Sequence, residues 1–292
     1  MRFVMDWLSV SLQRILPRHL LTSLVHRLAR VRNERVKNIL IRQFVRAFDV
    51  HVEEARHTVP DGYATFNAFF IRELADGCRP IDADDDTIVS PADGTVSAAG
   101  RITANRVFQA KGLDYSLEDL LATDLDDAQR FIDGAFATIY LAPYNYHRVH
   151  APLAGRVRAL RYVPGDLFSV NDKTVRRLSR LFARNERVVL HVETAFGPMA
   201  VIFVGALNVG SISTPWSGEI RPRKKGVVDD IDVRGSDVSA EVARGATLGW
   251  FNMGSTVIVL LPAGTSDEFA GLAPGMAVQV GRPIGRMTAS GA

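Results

Sequence analysis

Apolar side chains recur with the period of an α-helix through the first 46 residues. One apolar face runs through residues 3–16, a second through 20–28 and a third through 40–45. Pro17 separates the first two faces, and proline ends or kinks a helix because it lacks an amide hydrogen. The pattern therefore predicts amphipathic helices in this segment, with a boundary at Pro17.

The pattern changes near residue 86. Short β-branched or apolar runs now alternate with Gly, Pro and Asp, which is typical of strands joined by tight turns. The runs lie at residues 87–89, 95–96, 137–141, 188–192, 199–204 and 257–261, and helical patterns return at 117–121 and 174–182. We therefore expect an α+β fold, with N-terminal amphipathic helices on a mainly antiparallel β core. Residues 1–60 form the predicted helical segment and 61–292 the β-rich domain.

Two phrases within the predicted β region resemble each other. They read SPADGTV at 90–96 and APLAGRV at 151–157. Each phrase places a proline before a turn glycine, and the glycine before a strand. This similarity indicates an internal duplication of a β unit.

Composition is that of a folded protein, with 47% hydrophobic and 23% charged residues. No stretch reaches the roughly 18 uninterrupted apolar residues that span a bilayer. Asp6 interrupts the N-terminal apolar run, which a secretory signal would not tolerate. The single cysteine, Cys78, excludes an internal disulfide and a cysteine-cluster metal site. We expect a soluble or membrane-attached protein.

Charge is unevenly distributed along the chain. Residues 1–46 contain ten basic and two acidic residues, a net +8, and the whole chain carries +3, so residues 47–292 carry −5. A basic amphipathic segment fits a helix at an anionic membrane interface, where each basic residue contributes about 1 kcal/mol. Helices that pack on the core with their arginines in solvent are the simpler alternative, which stays open. No nucleic-acid-binding motif is recognisable, so nucleic acid is not an expected partner.

Acidic and imidazole side chains mark two places where chemistry is expected. Asp93 precedes Gly94 in a turn, a position that also suits ordinary turn chemistry. His147 and His150 lie in a loop with Tyr and Pro residues and are acid–base or metal candidates. On a regular strand they would face opposite ways, so they converge only if the backbone turns or bulges. No HExxH motif or cysteine pair accompanies them, so a metal site is not expected.

The third place is the bond between Gly254 and Ser255. A glycine turn before the strand at 257–261 is the ordinary interpretation. The pair also suits cleavage of the chain, because glycine leaves its carbonyl uncrowded and the serine hydroxyl can attack that carbonyl.

Together the three places supply the groups of an activated nucleophile. Ser255 is the nucleophile, His150 or His147 the base, and Asp93 the acid that orients the base. The GxSxG pattern of α/β-hydrolases is absent around Ser255.

Six segments, taken in their order, identify a family resemblance. They are FFIREL at 69–74 with RP at 79–80, SPADG at 90–94, YHRVHAP at 146–152, PGDLFSVN at 164–171, FARNER at 182–187 and GST at 254–256. In this order they resemble the phosphatidylserine decarboxylases, from about residue 66 to 262. Met253 departs from the leucine that this family usually has before Gly-Ser-Thr, and we expect the volume-conserving change to be tolerated.

The resemblance implies that the chain cuts itself. Asp93 then orients His150, which removes the proton of the Ser255 hydroxyl. The hydroxyl attacks the Gly254 carbonyl, the ester that forms is eliminated, and residue 255 becomes an N-terminal pyruvoyl group. This group is the covalent pyruvate cofactor. The products are a long chain, 1–254, and a short chain, 255–292, which stay together.

The resemblance also implies the reaction of the cut protein. The pyruvoyl carbonyl forms a Schiff base with phosphatidylserine, and loss of carbon dioxide yields phosphatidylethanolamine. His147 is the candidate for protonating the carbanion. The implied partners are an anionic membrane surface, reached through residues 1–46, and a second protomer in a homodimer of cleaved chains. The implied location is the cytoplasmic side of the cell membrane, as a peripheral protein.

Two alternatives leave the chain uncut. One is a duplicated β module of the phosphocarrier or lipoyl type, with a phosphoryl group carried on His147 or His150. The other is a serine hydrolase that uses Asp93, a histidine and Ser255 on an external ester.

Overall fold

The computed structural model describes residue 13 and residues 16–110, 113–123, 125–207, 210–223, 226–264, 267 and 269–287. The helix predicted over residues 3–16 lies outside this part, apart from residues 13 and 16. Everything below concerns the described residues, in which the chain is uncut and Gly254 is followed directly by Ser255.

The helices are mostly short and concentrate before the β region. They are α1 (Arg18–Ala29), α2 (Glu34–Phe48), a 3₁₀ helix (Val52–Glu54), α3 (Phe66–Phe70), α4 (Leu117–Leu121), α5 (Leu125–Gln129), α6 (Asp172–Val175) and α7 (Leu181–Arg184). The helix expected at 174–182 is therefore two short helices. Arg180 lies between them with a left-handed φ of 59°, a conformation that no α-helix continues through.

The strands confirm the expected antiparallel β core. They are β1 (Thr87–Val89), β2 (Gly94–Arg101), β3 (Arg106–Ala110), β4 (Leu113–Ser116), β5 (Ala135–Leu141), β6 (Arg148–His150), β7 (Gly155–Val163), β8 (Arg187–Thr194), β9 (Gly197–Val204), β10 (Ile212–Thr214), β11 (Gly218–Ile220), β12 (Asp229–Ile231), β13 (Glu241–Val242), β14 (Thr247–Phe251), β15 (Ser255–Leu261), β16 (Ala277–Val278) and β17 (Pro283–Arg286).

A nine-stranded sheet forms the centre of the molecule. Its strand order is β12-β7-β8-β9-β15-β5-β2-β16, with β13 also paired to β7. A four-stranded sheet, β11-β10-β14-β6, and two strand pairs, β1-β17 and β3-β4, surround it. The named strands pair antiparallel throughout, from the β1–β17 pair to β8–β9. This arrangement confirms the α+β class.

Strand β15 carries the residues that follow the candidate cleavage bond. It lies between β5 and β9 and pairs with both. All seven of its residues are buried, and apolar side chains that leave water supply most of the stability of such a core. The strand predicted at 257–261 is confirmed and begins two residues earlier, at Ser255.

The two similar sequence phrases occupy equivalent places in the fold. Gly94 begins β2 and Gly155 begins β7, and the register of each strand against its neighbour shifts a few residues later. At both glycines a Cβ atom would lie 2.4 Å from a carbonyl oxygen of the next strand, at Tyr140 and Glu193 respectively. Each position therefore requires glycine because the neighbouring backbone approaches closely.

The duplication extends to strands from the C-terminal part of the chain. Strands β1 and β2 combine with β16 and β17, and β6 and β7 combine with β13 and β14. We call these sets the first and the second β repeat. The amide of Val89 donates to Pro152, and the amide of His150 donates to Pro91, so the repeats exchange equivalent hydrogen bonds. The internal duplication is thus visible in the backbone, with the two proline turns meeting between the repeats.

The N-terminal helices pack through a second, smaller core. Its buried residues are Ala29, Ile41, Val50, Tyr63, Phe66, Phe69 and Phe70. Polar groups connect the C-terminal end of α1 to the β region. His26 in the helix and Arg30 just after it contact Glu219 of β11, at 2.8 and 2.6 Å. Three of the four leucines of α1, in contrast, are exposed: Leu20, Leu24 and Leu28. No described helix is both long enough and apolar enough to cross a bilayer.

Candidate active site

The bond between Gly254 and Ser255 lies in the interior, at the start of β15. Ser255 pairs with Leu141 of β5 and has no exposed surface. Its Oγ is buried and finds no hydrogen-bond partner among the described residues. A buried hydroxyl without a partner costs free energy, and this one lies directly at the candidate bond.

His147 is the histidine that lies beside this bond. Its Nδ1 is 2.8 Å from the carbonyl oxygen of Asn145, and a carbonyl can only accept, so Nδ1 carries the proton. The other nitrogen, Nε2, therefore presents a lone pair. It is buried, makes no hydrogen bond within the described chain, and lies 3.6 Å from where a Cβ of residue 254 would be.

Packing and charge keep His147 neutral. The ring of Phe70 lies 4.1 Å from the imidazole, centroid to centroid. Burial lowers the pKa of His147 to about 3, and the positive charge of Arg72 lowers it further, while the hydrogen bond to Asn145 opposes the shift. At neutral pH the side chain is thus an uncharged imidazole with one unused lone pair.

His150 has different neighbours. Its Nδ1 donates to the carbonyl of Gly245 at 2.7 Å, so Nε2 accepts the hydroxyl hydrogen of Tyr146 at 3.1 Å. Tyr146 also stacks on the imidazole. Burial lowers the pKa of His150, whereas the bond to Gly245 and the negative charge of Asp93 act in the opposite direction.

Asp93 is buried and bound to a guanidinium group. Arg79 donates to both of its carboxylate oxygens, at 2.6 to 3.1 Å, and the amide of Val280 donates to Oδ1 at 2.9 Å. The same guanidinium also binds Glu54, at 2.7 Å. Asp93 is therefore held rigidly on the side of the site where its charge acts on His150.

The structure does not form the hydrogen-bond series expected from Asp93 through His150 to Ser255. The carboxylate is occupied by Arg79, and the lone pair of His150 is occupied by Tyr146. The two histidines also point to different neighbours. The register of β6 against β14 shifts near His150, but this irregularity does not bring both imidazoles onto one atom.

Two spaces of different character flank the site. A cavity of about 960 Å³ is lined by both apolar and polar residues, and its polar residues include Arg72, Arg79, Asp93, Asn145 and Tyr146. A separate groove of about 310 Å³ lies between α1, α2 and α3 and is lined mainly by apolar side chains, including Met253. The residue before the glycine of the candidate bond therefore contacts an apolar surface, and the residues before His147 line a cavity that also contains charged groups.

Sequence reasoning assigned no role to Arg79, Tyr146 or Asn145. Arg79 and Tyr146 both lie in segments that carried the family resemblance, at 79–80 and 146–152, but nothing in the segments indicates which side chains meet. Asn145 acts through its carbonyl, and a backbone contact leaves no signal in residue type.

Known proteins match this chain over nearly its whole length. A family model described as phosphatidylserine decarboxylase matches residues 66–286, and one described as PSD matches residues 8–49. A phosphatidylserine decarboxylase proenzyme of Alcanivorax borkumensis is 47% identical over 284 residues, which is 97% of each chain. The proteins of the same name in Methylococcus capsulatus and Shewanella loihica are 45% and 44% identical, over 95% and 97% of this chain and 96% and 100% of theirs. This chain belongs to the phosphatidylserine decarboxylase family.

Proposed function

We propose that the chain is a proenzyme that cuts itself between Gly254 and Ser255 and then decarboxylates phosphatidylserine to phosphatidylethanolamine. The observation that carries the proposal is the pair of buried, unpartnered atoms at this bond, Ser255 Oγ and His147 Nε2. In the described chain each has a lone pair and no hydrogen bond to a neighbour. The relatives named above are proenzymes of the same decarboxylase.

The cleavage chemistry needs only the chain and one water. The Ser255 hydroxyl attacks the Gly254 carbonyl, the peptide C–N bond breaks, and an ester takes its place. Elimination then breaks the ester C–O bond, which leaves a carboxylate at Gly254 and a dehydroalanine at residue 255. Water replaces the nitrogen of residue 255, ammonia leaves, and a pyruvoyl group remains.

The residues present suit this group. Gly254 has room around its α-carbon, since a Cβ there would meet neighbours only at 3.5 and 3.6 Å. Ser255 begins a strand that is hydrogen-bonded on both sides, so the short chain, residues 255–292, keeps its place after the cut. A pyruvoyl group at residue 255 would supply a carbonyl that withdraws electrons from the carbon losing carbon dioxide.

His150 is the better base for the cleavage step, although His147 is nearer to the bond. A general base works best when its pKa lies near the working pH. Burial lowers the pKa of both histidines, but at His150 the bond to Gly245 and the negative charge of Asp93 oppose the shift, whereas at His147 the charge of Arg72 adds to it and the pKa falls to about 3. His150 can accept the serine proton once its bond to Tyr146 opens.

His147 suits the second reaction. Its Nδ1–H is fixed on Asn145, so Nε2 is the atom that faces the reaction, and it must first take up a proton from water before it can deliver one to the substrate carbon. Burial and the charge of Arg72 disfavour the imidazolium that forms, so the protonated ring gives its proton up readily once carbon dioxide has left.

The mass of the purified protein under denaturing conditions tests the cleavage. We expect two species, one ending at Gly254 and one beginning with a pyruvoyl group at residue 255. Ser255→Ala should give one uncut, inactive species. Ser213→Ala removes another buried serine hydroxyl and should still be cut. A single 32.1 kDa species from the unaltered protein, or a short chain from Ser255→Ala, would rule the proposal out.

The N-terminal helices support a lipid substrate and a membrane surface as partner. Leu20, Leu24 and Leu28 follow one another at intervals of four residues and form an exposed apolar row on α1. The apolar groove beside this row reaches Met253, next to the candidate bond. An amphipathic helix that buries leucines in the bilayer interface, with arginines near anionic headgroups, would bring the site to its substrate.

Liposome sedimentation tests the membrane contact. We expect Leu20→Gln, Leu24→Gln and Leu28→Gln in one protein to reduce binding to anionic vesicles at least tenfold while cleavage continues. Phe108→Gln, Val227→Gln and Val238→Gln, which also replace exposed apolar residues, should bind like the unaltered protein. Equal binding by both triple variants would refute the α1 surface as the membrane contact.

A further inference from the structure

Arg72 is a buried cation with unused hydrogen-bond donors. Only 4% of its surface is exposed, and it lies two residues after the end of α3. Its Nη2 lies 3.4 Å from the carbonyl oxygen of Tyr144, and its guanidinium lies over the ring of Phe69. Its Nε and Nη1 find no partner among the described residues.

The nearby carboxylates do not compensate Arg72. Glu54 and Asp93 are both bound by Arg79, in short hydrogen bonds to the same guanidinium. Burial lowers the pKa of Arg72, which is the effect of a positive charge removed from water without a close counter-ion. A buried charge of this kind is costly and is normally paired, so the position suits an anion that arrives from outside.

The route to Arg72 is the larger of the two spaces, which is lined by both charged and apolar residues. Arg72 lines the space of about 960 Å³, together with Asn145 and Tyr146. These two residues precede His147, and Phe70, two residues before Arg72, packs on the His147 ring. An anion that enters the cavity and binds Arg72 is therefore held close to the reacting centre.

We propose that Arg72 binds the phosphodiester of the lipid headgroup. The inference rests on the proposed function, because that function defines the headgroup. A guanidinium group presents a planar set of donors that matches two phosphate oxygens. The substrate carboxylate is the weaker candidate, since a strong contact to the group that leaves as carbon dioxide would stabilise the ground state more than the transition state. The phosphodiester keeps its charge from substrate to product.

Binding to the uncut chain tests the proposal without any catalysis. In a Ser255→Ala protein, calorimetric titration with glycerophosphoethanolamine measures affinity for a phosphodiester that lacks a carboxylate. We expect Arg72→Gln to weaken binding by about 10- to 100-fold, the range for a lost hydrogen-bonded charge contact. Arg286→Gln, an exposed arginine at the rim of the same cavity, should bind like its parent. No binding to the parent, or equal binding by Arg72→Gln, would overturn the proposal.

Competition in the cut enzyme separates the two anionic groups of the headgroup. Glycerophosphoethanolamine has the phosphodiester, and free serine has the carboxylate. We expect Arg72→Gln to raise the inhibition constant of the first by about 10- to 100-fold and to leave that of serine unchanged. An unchanged inhibition constant for glycerophosphoethanolamine with a raised one for serine would assign Arg72 to the carboxylate and overturn the proposal. Arg72→Gln should still cut itself normally, so a wrong assignment of Arg72 can be told apart from a wrong proposal for the function of the protein.

Stability distinguishes a ligand-binding arginine from a structural one. A buried cation without a counter-ion costs free energy, so its replacement by an apolar residue of similar volume should not destabilise the fold. Breaking a buried ion pair, in contrast, is strongly destabilising. We expect Arg72→Met to unfold at a denaturant midpoint no lower than the parent and to lose glycerophosphoethanolamine binding. A clearly lower midpoint with binding retained would show that Arg72 only supports the fold.

Discussion

The two β repeats share a backbone and differ in their chemistry. Position 89 of the first corresponds to position 150 of the second, and their amides make equivalent hydrogen bonds to Pro152 and Pro91. The first repeat has Val89 where the second has His150. The second has Ala154 where the first has Asp93. The two repeats are thus similar scaffolds, and each contributes a different polar group to the contact between them.

This difference shows what each repeat supplies. Asp93 acts on His150 only because the proline turns of both repeats meet. The first repeat has Val89 at the position equivalent to His150, and the second has Ala154 at the position equivalent to Asp93, so neither repeat alone contains both groups. The site is therefore a property of the contact between the repeats, and exchanging residues between equivalent positions tests it directly.

The largest effect is expected when His150 is replaced by its counterpart. His150→Val places in the second repeat the residue that stands at the equivalent position of the first. Because it removes the proposed base while keeping a residue that β strands favour, we expect a folded, uncut and inactive protein. Intact mass and circular dichroism measure both properties. Formation of the short chain at the normal rate would remove His150 from the cleavage step.

A smaller effect is expected at the other histidine. His147→Ala should still cut itself, because the base proposed for cleavage remains. Decarboxylation should fall by about 100- to 10,000-fold, the range for loss of an acid–base group. Turnover by the cut variant, normalised to its pyruvoyl content, measures this. Normal turnover, or a complete failure to cut, would assign His147 a different role.

The shared backbone can be disturbed equally in both repeats. Gly94→Ala and Gly155→Ala each place a Cβ 2.4 Å from a carbonyl oxygen of the adjacent strand. Each should lower the free energy of unfolding by about 1–3 kcal/mol, the usual cost of overpacking. Only Gly94 adjoins Asp93, so Gly94→Ala alone should also slow cleavage. Denaturant unfolding and the rate of short-chain formation test this, and equal slowing by both variants would contradict it.

The last effect is a dependence of stability on pH. The folded pKa of His147 is about 3, well below the ordinary value near 6.5. The unfolded chain therefore takes up a proton that the folded chain excludes, and stability falls as the pH drops from about 6.5 towards 3. The slope from this group is about 1.4 kcal/mol per pH unit. Urea unfolding at pH 7, 6 and 5 should show a shallower fall for His147→Ala, and parallel curves would refute the assignment.

Much of the fold could be predicted from periodicity. The strand at 87–89 and the helix at 117–121 match the structure in their bounds. The region expected to be one helix at 174–182 is two, because Arg180 adopts a left-handed conformation that residue type does not indicate. The order of the strands in the sheet was also beyond sequence reasoning, because pairing depends on contacts between distant residues.

The candidate site could be predicted as a set of residues but not as an arrangement. Asp93, His147, His150 and Ser255 were all recognisable from their motifs. Their partners were not, because Arg79 comes from a separate segment and Asn145 contributes only a carbonyl. The nearest imidazole to the bond is His147 and not His150, a result of how β6 lies against β14.

The sequence by itself determined the family, the alternation of helical and β patterns and the presence of an apolar face on α1, since these depend on residue type and local spacing. Only the tertiary structure decided that Leu20, Leu24 and Leu28 of α1 face outward. It also decided that Arg72 is buried without a counter-ion and that the two repeats meet at Asp93 and His150. The physical reason is that burial and pairing arise between segments far apart in the chain, where the free energy depends on packing and charge together.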